Sequence, residues 1–154
     1  MQAKLKYIIG IVSLAAFIAS CSSTKNLKEG ESLYVKGNVI VDSDTISKEN
    51  KEKIATHLEA ALMPKPNKRL AGVPFKLYFN NMAGDSAGKN IIKKFFKKIG
   101  EEPVLLSDVN REYNENLLRN RLENFGFFNA EVKSDTLVEN KKATINYTAK
   151  PNLI

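Results

Sequence analysis

One cysteine and one histidine are all that this sequence offers of the two most versatile site-building side chains. With Cys21 as the single thiol, no intramolecular disulfide, cysteine metal cluster or redox pair can be assembled. With His57 as the single imidazole, the usual nucleophile–base constellations are excluded as well, and no nucleophile elbow, phosphate loop or metal-ligand spacing occurs. His57 sits beside Leu58 off the centre of an apolar stripe, the position of a helix-surface residue. A long apolar run is also missing. Tyr7 to Ala19 follows Lys4 and Lys6 and is too short to span a bilayer, so it reads as a secretory signal. The one hydrolytic alternative is a carboxylate pair, Glu101-Glu102 or Asp42 with Asp44, which would have to face a cleft. The reading is therefore not an enzyme, with no metal and no cofactor.

Positive charge, by contrast, is in excess. Twenty-four Lys and Arg stand against seventeen Asp and Glu, a formal +7. Lys4 and Lys6 lie in the first twenty residues, which hold no acid, so a chain trimmed there carries 22 minus 17, or +5. Such a balance favours anionic surfaces, although an ordinary solvated surface produces it too. Nucleic acid is a poor partner for an exported chain.

Periodicity places the elements. Leu33, Val35, Val39 and Val41 share one face of a first strand that ends in Asp42-Ser43-Asp44. Ser47 caps a helix whose stripe is Ile54, Ala55, Leu58, Ala61 and Leu62, closed by Pro64 and Pro66. An insertion at about 63–106 follows. In it Val73, Phe75, Leu77 and Phe79 alternate like a strand, while Leu77, Tyr78 and Met82 equally suit a helix; residues 82–88 read as a flexible turn. Ile91, Ile92, Phe95, Phe96 and Ile99 then line one face of a short helix and Lys93, Lys94, Lys97 and Lys98 the other, with Gly100 ending it. Three fates suit that helix: lying in lipid headgroups, contacting an acidic partner, or packing its apolar face on the domain.

The longest helix is expected from Ser107, as N-cap, to Gly126, with a stripe of Val109, Tyr113, Leu117, Leu118, Leu122 and Phe125. Phe128, Ala130 and Val132 then alternate with Asn129, Glu131 and Lys133 as a strand. A turn at Glu139 to Lys142 leads to a last strand with Ala143, Ile145, Tyr147 and Ala149 inward. The fold class is α+β, in the order β-α-(insertion)-α-β-β, with a small three-stranded mixed sheet and helices on one face.

LLRNRLENFGFFNAEV and the following KKATINYTAK resemble the second half of a POTRA domain, the periplasmic repeat of BamA/TamA-like outer-membrane assembly proteins. CSSTKNLKEGESLYVKGNVIV, PNKRLAGVPFKLYFNN and IGEEPVLLSD are similar to other segments of such proteins, so the resemblance covers nearly all of residues 21–154. Ile18-Ala19-Ser20-Cys21 is similar to the lipobox of bacterial lipoproteins. The organisation this implies is a lipoprotein signal at 1–20, a lipidated tether at 21–32, a domain at 33–150, and at 151–154 the start of a linker or a further repeat. Cys21 would carry acyl chains and hold the domain at the outer membrane, facing the periplasm. The implied partners are unfolded outer-membrane protein segments, membrane lipid, and a C-terminal β-barrel or further POTRA repeats. Clients would add to an edge strand at about Asn129 to Leu137, along Asn129, Glu131, Lys133 and Asp135. The alternative is an adaptor lipoprotein that links the membrane to a periplasmic partner through the insertion.

Overall fold

Strand β3 (Lys142–Lys150) occupies the centre of the sheet, and its inward residues Ala143, Ile145, Tyr147 and Ala149 have no solvent exposure. The computed structural model describes residues 23–84 and 91–152. These fall into two compact units: residues 27–68 with 103–152, the sheet unit, and residues 23–26 with 69–84 and 91–102, the insertion unit.

In the sheet unit, β1 (Leu33–Val41) runs parallel to one side of β3 and β2 (Glu131–Glu139) antiparallel to the other, giving the order β1-β3-β2. The β2–β3 hairpin turns on Asn140 and Lys141, both in the left-handed region with φ of 50° and 59°, the conformation a two-residue turn needs to match the strand twist. Helix α1 (Lys48–Ala61) follows β1 and stops before Pro64 and Pro66. Ser47 caps α1 as expected, its hydroxyl accepting from the Asn50 amide. The mixed α+β class and the three-stranded mixed sheet follow from the order of patterns in the chain.

Several local expectations are corrected. Val35 does not share the inner face of β1. The pairing register with β3 shifts between Tyr34 and Lys36, so Val35 is the extra residue of a bulge and Tyr34, only 1% exposed, takes the inner place. Gly37 makes this possible, since a Cβ there would lie 2.7 Å from Leu62 Cδ1 and collide with the Tyr34 hydroxyl.

Ser107 is not the N-cap of the long helix. It lies in a 3-10 turn (Leu106–Asp108) closed by the Leu105 amide donating to the Asp108 carboxylate at 2.8 Å. The helix spans Arg111–Asn124, with the Asn110 side chain accepting from the Tyr113 amide at 2.9 Å. Asn is as good a cap as Ser, so the turn decides the start. Gly126 does stop the chain in the left-handed region, with φ of 92°.

The buried stripe of that helix is Asn114, Leu118 and Leu122, an i, i+4, i+8 line, while Tyr113 and Phe125 are exposed. Asn114 belongs to it because its amide donates to the Met63 carbonyl and to the Tyr147 hydroxyl, and its oxygen accepts from the Met63 amide. Phe128, expected to face inward, is exposed in the loop before β2, and Asn129 also precedes the strand.

The insertion unit contains α2 (Phe75–Ala83) and α3 (Ile91–Ile99). The long helix of the sheet unit is accordingly α4. Pro74 stands immediately before α2, where its fixed φ suits a helix start and its missing donor is harmless. This settles the helix-or-strand ambiguity over 73–79. Met82 and Ala83, expected to open the 82–88 turn, instead form the last residues of α2, which Gly84 ends; residues 85–88 of that turn lie outside the described residues. Leu77 and Ala83 are fully buried, and Phe79 stacks on Phe96 with ring centroids 5.7 Å apart. The Asn81 side chain donates to the Ser23 carbonyl, and the Asn26 side chain donates to the Asn81 carbonyl.

Candidate functional site

Two surfaces stand out in the sequence: the outer edge of β2 and the basic helix α3. Since β3 is central, β2 and β1 are the two edges, and an edge carries backbone donors and acceptors with no strand beside them.

Side-chain and backbone directions on β2 must be separated. Glu131, Lys133 and Asp135 are exposed as expected, on the face away from the helices. Their amides, however, point toward β3. Two observations give this phase: the Glu139–Lys142 pair closes the two-residue turn, and the Ser134 amide points the other way, donating to the Glu115 carboxylate at 2.8 Å. Alternation then directs the amides of Val132, Thr136 and Val138 outward as well. Asn129 plays no part in this ladder; its carbonyl accepts from the Asn152 side chain.

Glu115 is a residue that periodicity assigns simply to the polar face of α4. Its carboxylate takes both the amide and the hydroxyl of Ser134. The opposite edge shows the same device: the Val39 amide of β1 donates to the Glu59 carboxylate of α1 at 3.0 Å. Val39 and Ser134 both pair with Tyr147, so one level of the sheet is guarded at each edge by a glutamate from a covering helix. Further along β1, the Tyr34 amide donates to the Val104 carbonyl and Leu33 bridges Leu105. The stretch of β2 between Glu115's guard and the turn is left open. A cleft lined by Ser32, Leu106, Val109, Arg111 and Thr136 borders it, and Leu137 and Val138 there are about half exposed. No motif marks these guards in the sequence, because a glutamate on a helix surface has no distinctive spacing.

Burial pushes the Tyr34 hydroxyl up to about 12, with the neighbouring Tyr147 and Glu59 acting in the same direction. Tyr147 is raised chiefly by burial too, opposed by its hydrogen bond from Asn114.

Helix α3 has the expected two faces, yet its apolar face is largely uncovered: Ile91, Ile92 and Phe95 are 82%, 63% and 58% exposed. Phe96 and Ile99 are half-buried, and Lys93, Lys94, Lys97 and Lys98 are exposed. Of the three fates, packing on the domain is seen for Phe96, through Phe79, and not for Ile91 and Phe95.

The remaining candidates separate. Cys21 lies outside the described residues. His57 is exposed, its ring edge-on to Phe125 at 5.0 Å. Asp42 is engaged with Lys150 at 3.4 Å, and neither it nor Asp44, Glu101 or Glu102 lines the cleft beside Thr136. Among the described residues no group of three or more potential metal ligands occurs, and no helix is long and apolar enough to cross a membrane. Comparison of the chain with protein-family models, characterised proteins and solved structures finds no match.

Proposed function

We propose that the chain is a lipid-anchored binding and positioning module of the periplasm, a POTRA-type domain that assists assembly of outer-membrane β-barrel proteins. In this reading Cys21 carries the acyl chains, and an extended client segment adds to the outer edge of β2. The module would be the N-terminal part of a larger barrel protein. The observation that carries the reading is the open half of β2, where the amides of Thr136 and Val138 point outward and Thr136 lines a cleft. Backbone pairing there tolerates many client sequences, which an assembly factor requires. Strand addition would begin between Ser134 and the turn, because Glu115 occupies the next donor.

A second reading, an adaptor that links the outer membrane to a periplasmic partner without binding clients, is favoured by the guards themselves. Glu59 and Glu115 are what a domain needs if its edges must stay unpaired.

Proline substitution separates the two. Thr136→Pro and Val138→Pro remove outward donors and leave the ladder to β3 intact, so both variants stay folded and lose capture of extended barrel-strand peptides. Asp135→Pro removes an inward donor opposite Asn146 and destabilises the domain by about 1–3 kcal/mol. Folded Thr136→Pro and Val138→Pro variants that capture peptides as well as the parent would remove β2 as the client site and leave the adaptor.

A further inference from the structure

We infer that α3 is a membrane-contacting helix that lies in the headgroup layer of an anionic leaflet. Nine residues rise about 14 Å, far short of the roughly 30 Å hydrocarbon thickness, so the helix can lie along a bilayer and not across it. Its exposed apolar residues are neighbours: Ile91 and Phe95 stand one turn apart on the same stripe, and Phe95, its ring tilted against Phe96 at 6.1 Å, is still 58% exposed, whereas Phe96 stacks on Phe79 and fixes the helix to α2. The adjoining stripe is Lys94 and Lys98, again one turn apart and exposed. Apolar side chains bordered by ammonium groups on long stems fit an acyl boundary topped by phosphates. Residues 91–100 contain four lysines and no acid, so nothing in the helix itself opposes a negatively charged surface.

The insertion unit also bears on where a lipid anchor would hold it. Ser23 is buried and its carbonyl accepts from Asn81 of α2. Two residues reach at most about 7 Å, so acyl chains on Cys21 would keep the unit that carries α3 against the bilayer. That placement rests on the lipid anchor proposed above; the affinity of the helix for lipid does not. An acyl chain and a basic amphipathic helix together supply the two signals that stable attachment takes.

The test removes the anchor and asks what remains. The mature chain from residue 21, carrying Cys21→Ser and so free of both the apolar run at 7–19 and the acyl chains, is mixed with vesicles of phosphatidylcholine alone or of phosphatidylcholine and phosphatidylglycerol in equal parts, and bound protein is measured by sedimentation. Binding is expected only to the anionic vesicles and weakens as salt is raised. Each of Lys93, Lys94, Lys97 and Lys98 changed to Glu lowers it about fivefold or more, and Phe95→Ser lowers it about tenfold or more. The chain has no tryptophan, so Phe95→Trp provides a single indole reporter whose emission shifts to the blue on anionic vesicles. Equal binding to both vesicle types, unchanged binding after reversal of all four lysines, or an indole emission in Phe95→Trp that vesicles do not move each overturns the inference. So does capture of the chain by an acidic peptide with no affinity for vesicles, which would assign the surface to a protein partner.

Discussion

The sheet unit and the insertion unit treat the same kind of amphipathic helix in opposite ways. In the sheet unit, Leu58 of α1 and Asn114, Leu118 and Leu122 of α4 are completely buried, and the polar faces of the same helices send Glu59 and Glu115 to the outward amides of the sheet. In the insertion unit, α3 separates isoleucine and phenylalanine from lysine more cleanly than either, yet leaves Ile91 and Phe95 in solvent. Helical periodicity says that one face is apolar; it does not say what covers that face. Cover depends on the neighbours, and the strongest stripe in the sequence is the one with least of it.

Paired truncations break this contrast most directly. Leu118→Ala removes a fully buried side chain and should cost about 2–5 kcal/mol, whereas Phe95→Ala should cost under about 0.5 kcal/mol despite deleting more carbon. Urea denaturation of the two variants measures both. A loss of several kcal/mol in Phe95→Ala would mean that α3 is core and would end its role at a surface. Asn114→Ala belongs with the large effects, at about 2–4 kcal/mol, because it leaves the Tyr147 hydroxyl without this partner in the interior and removes two part-buried bonds to the Met63 backbone.

How much of this is legible in the sequence follows from the same contrast. The strand order of patterns, the Ser47 cap, the Gly126 stop and the inward residues of β3 are local signals, and each holds. Asn114 escapes periodicity because a polar residue on an apolar stripe has no signal until its partners, 51 and 33 residues away, are known. Val35 is misplaced by alternation because one extra residue reverses the face of everything before it, and a bulge leaves no mark on a count taken from either end. The edge residues Glu131, Lys133 and Asp135 are placed correctly by side chain, but the donors that matter for strand addition belong to the residues between them.

Alkaline pH offers an intermediate effect, confined to the sheet unit. Folding raises the Tyr34 hydroxyl from near 10 to about 12, so the protonated form stabilises the fold. That contribution is fully present below about pH 10 and is lost as pH rises through about 12, on the order of 2 kcal/mol. Stability of the parent relative to Tyr34→Phe, followed by denaturant titration across this window, should fall accordingly. A difference that stays constant with pH would mean that burial of Tyr34 does not govern its ionisation.

Within the sheet unit the smallest expected change in stability is at the guards, where it is also the most informative about function. Glu115→Ala returns the Ser134 amide and hydroxyl to water at a partly exposed edge, so the loss should be about 1 kcal/mol, within the range for a charge-assisted bond that solvent can replace. What changes more is the edge. With Ser134 released, outward donors at Val132, Ser134, Thr136 and Val138 become continuous along β2, and a client strand can pair over its length instead of over the half near the turn. Capture of barrel-strand peptides should therefore tighten in Glu115→Ala, while Glu59→Ala, on the β1 edge that residues 104–105 still cover in part, should change it little. The two variants measured side by side, for stability and for peptide capture, decide whether the guard matters. Equal capture by Glu115→Ala, Glu59→Ala and the parent would mean that clients do not pair with β2 beyond Ser134, and Glu115 would then be only a link between α4 and the sheet.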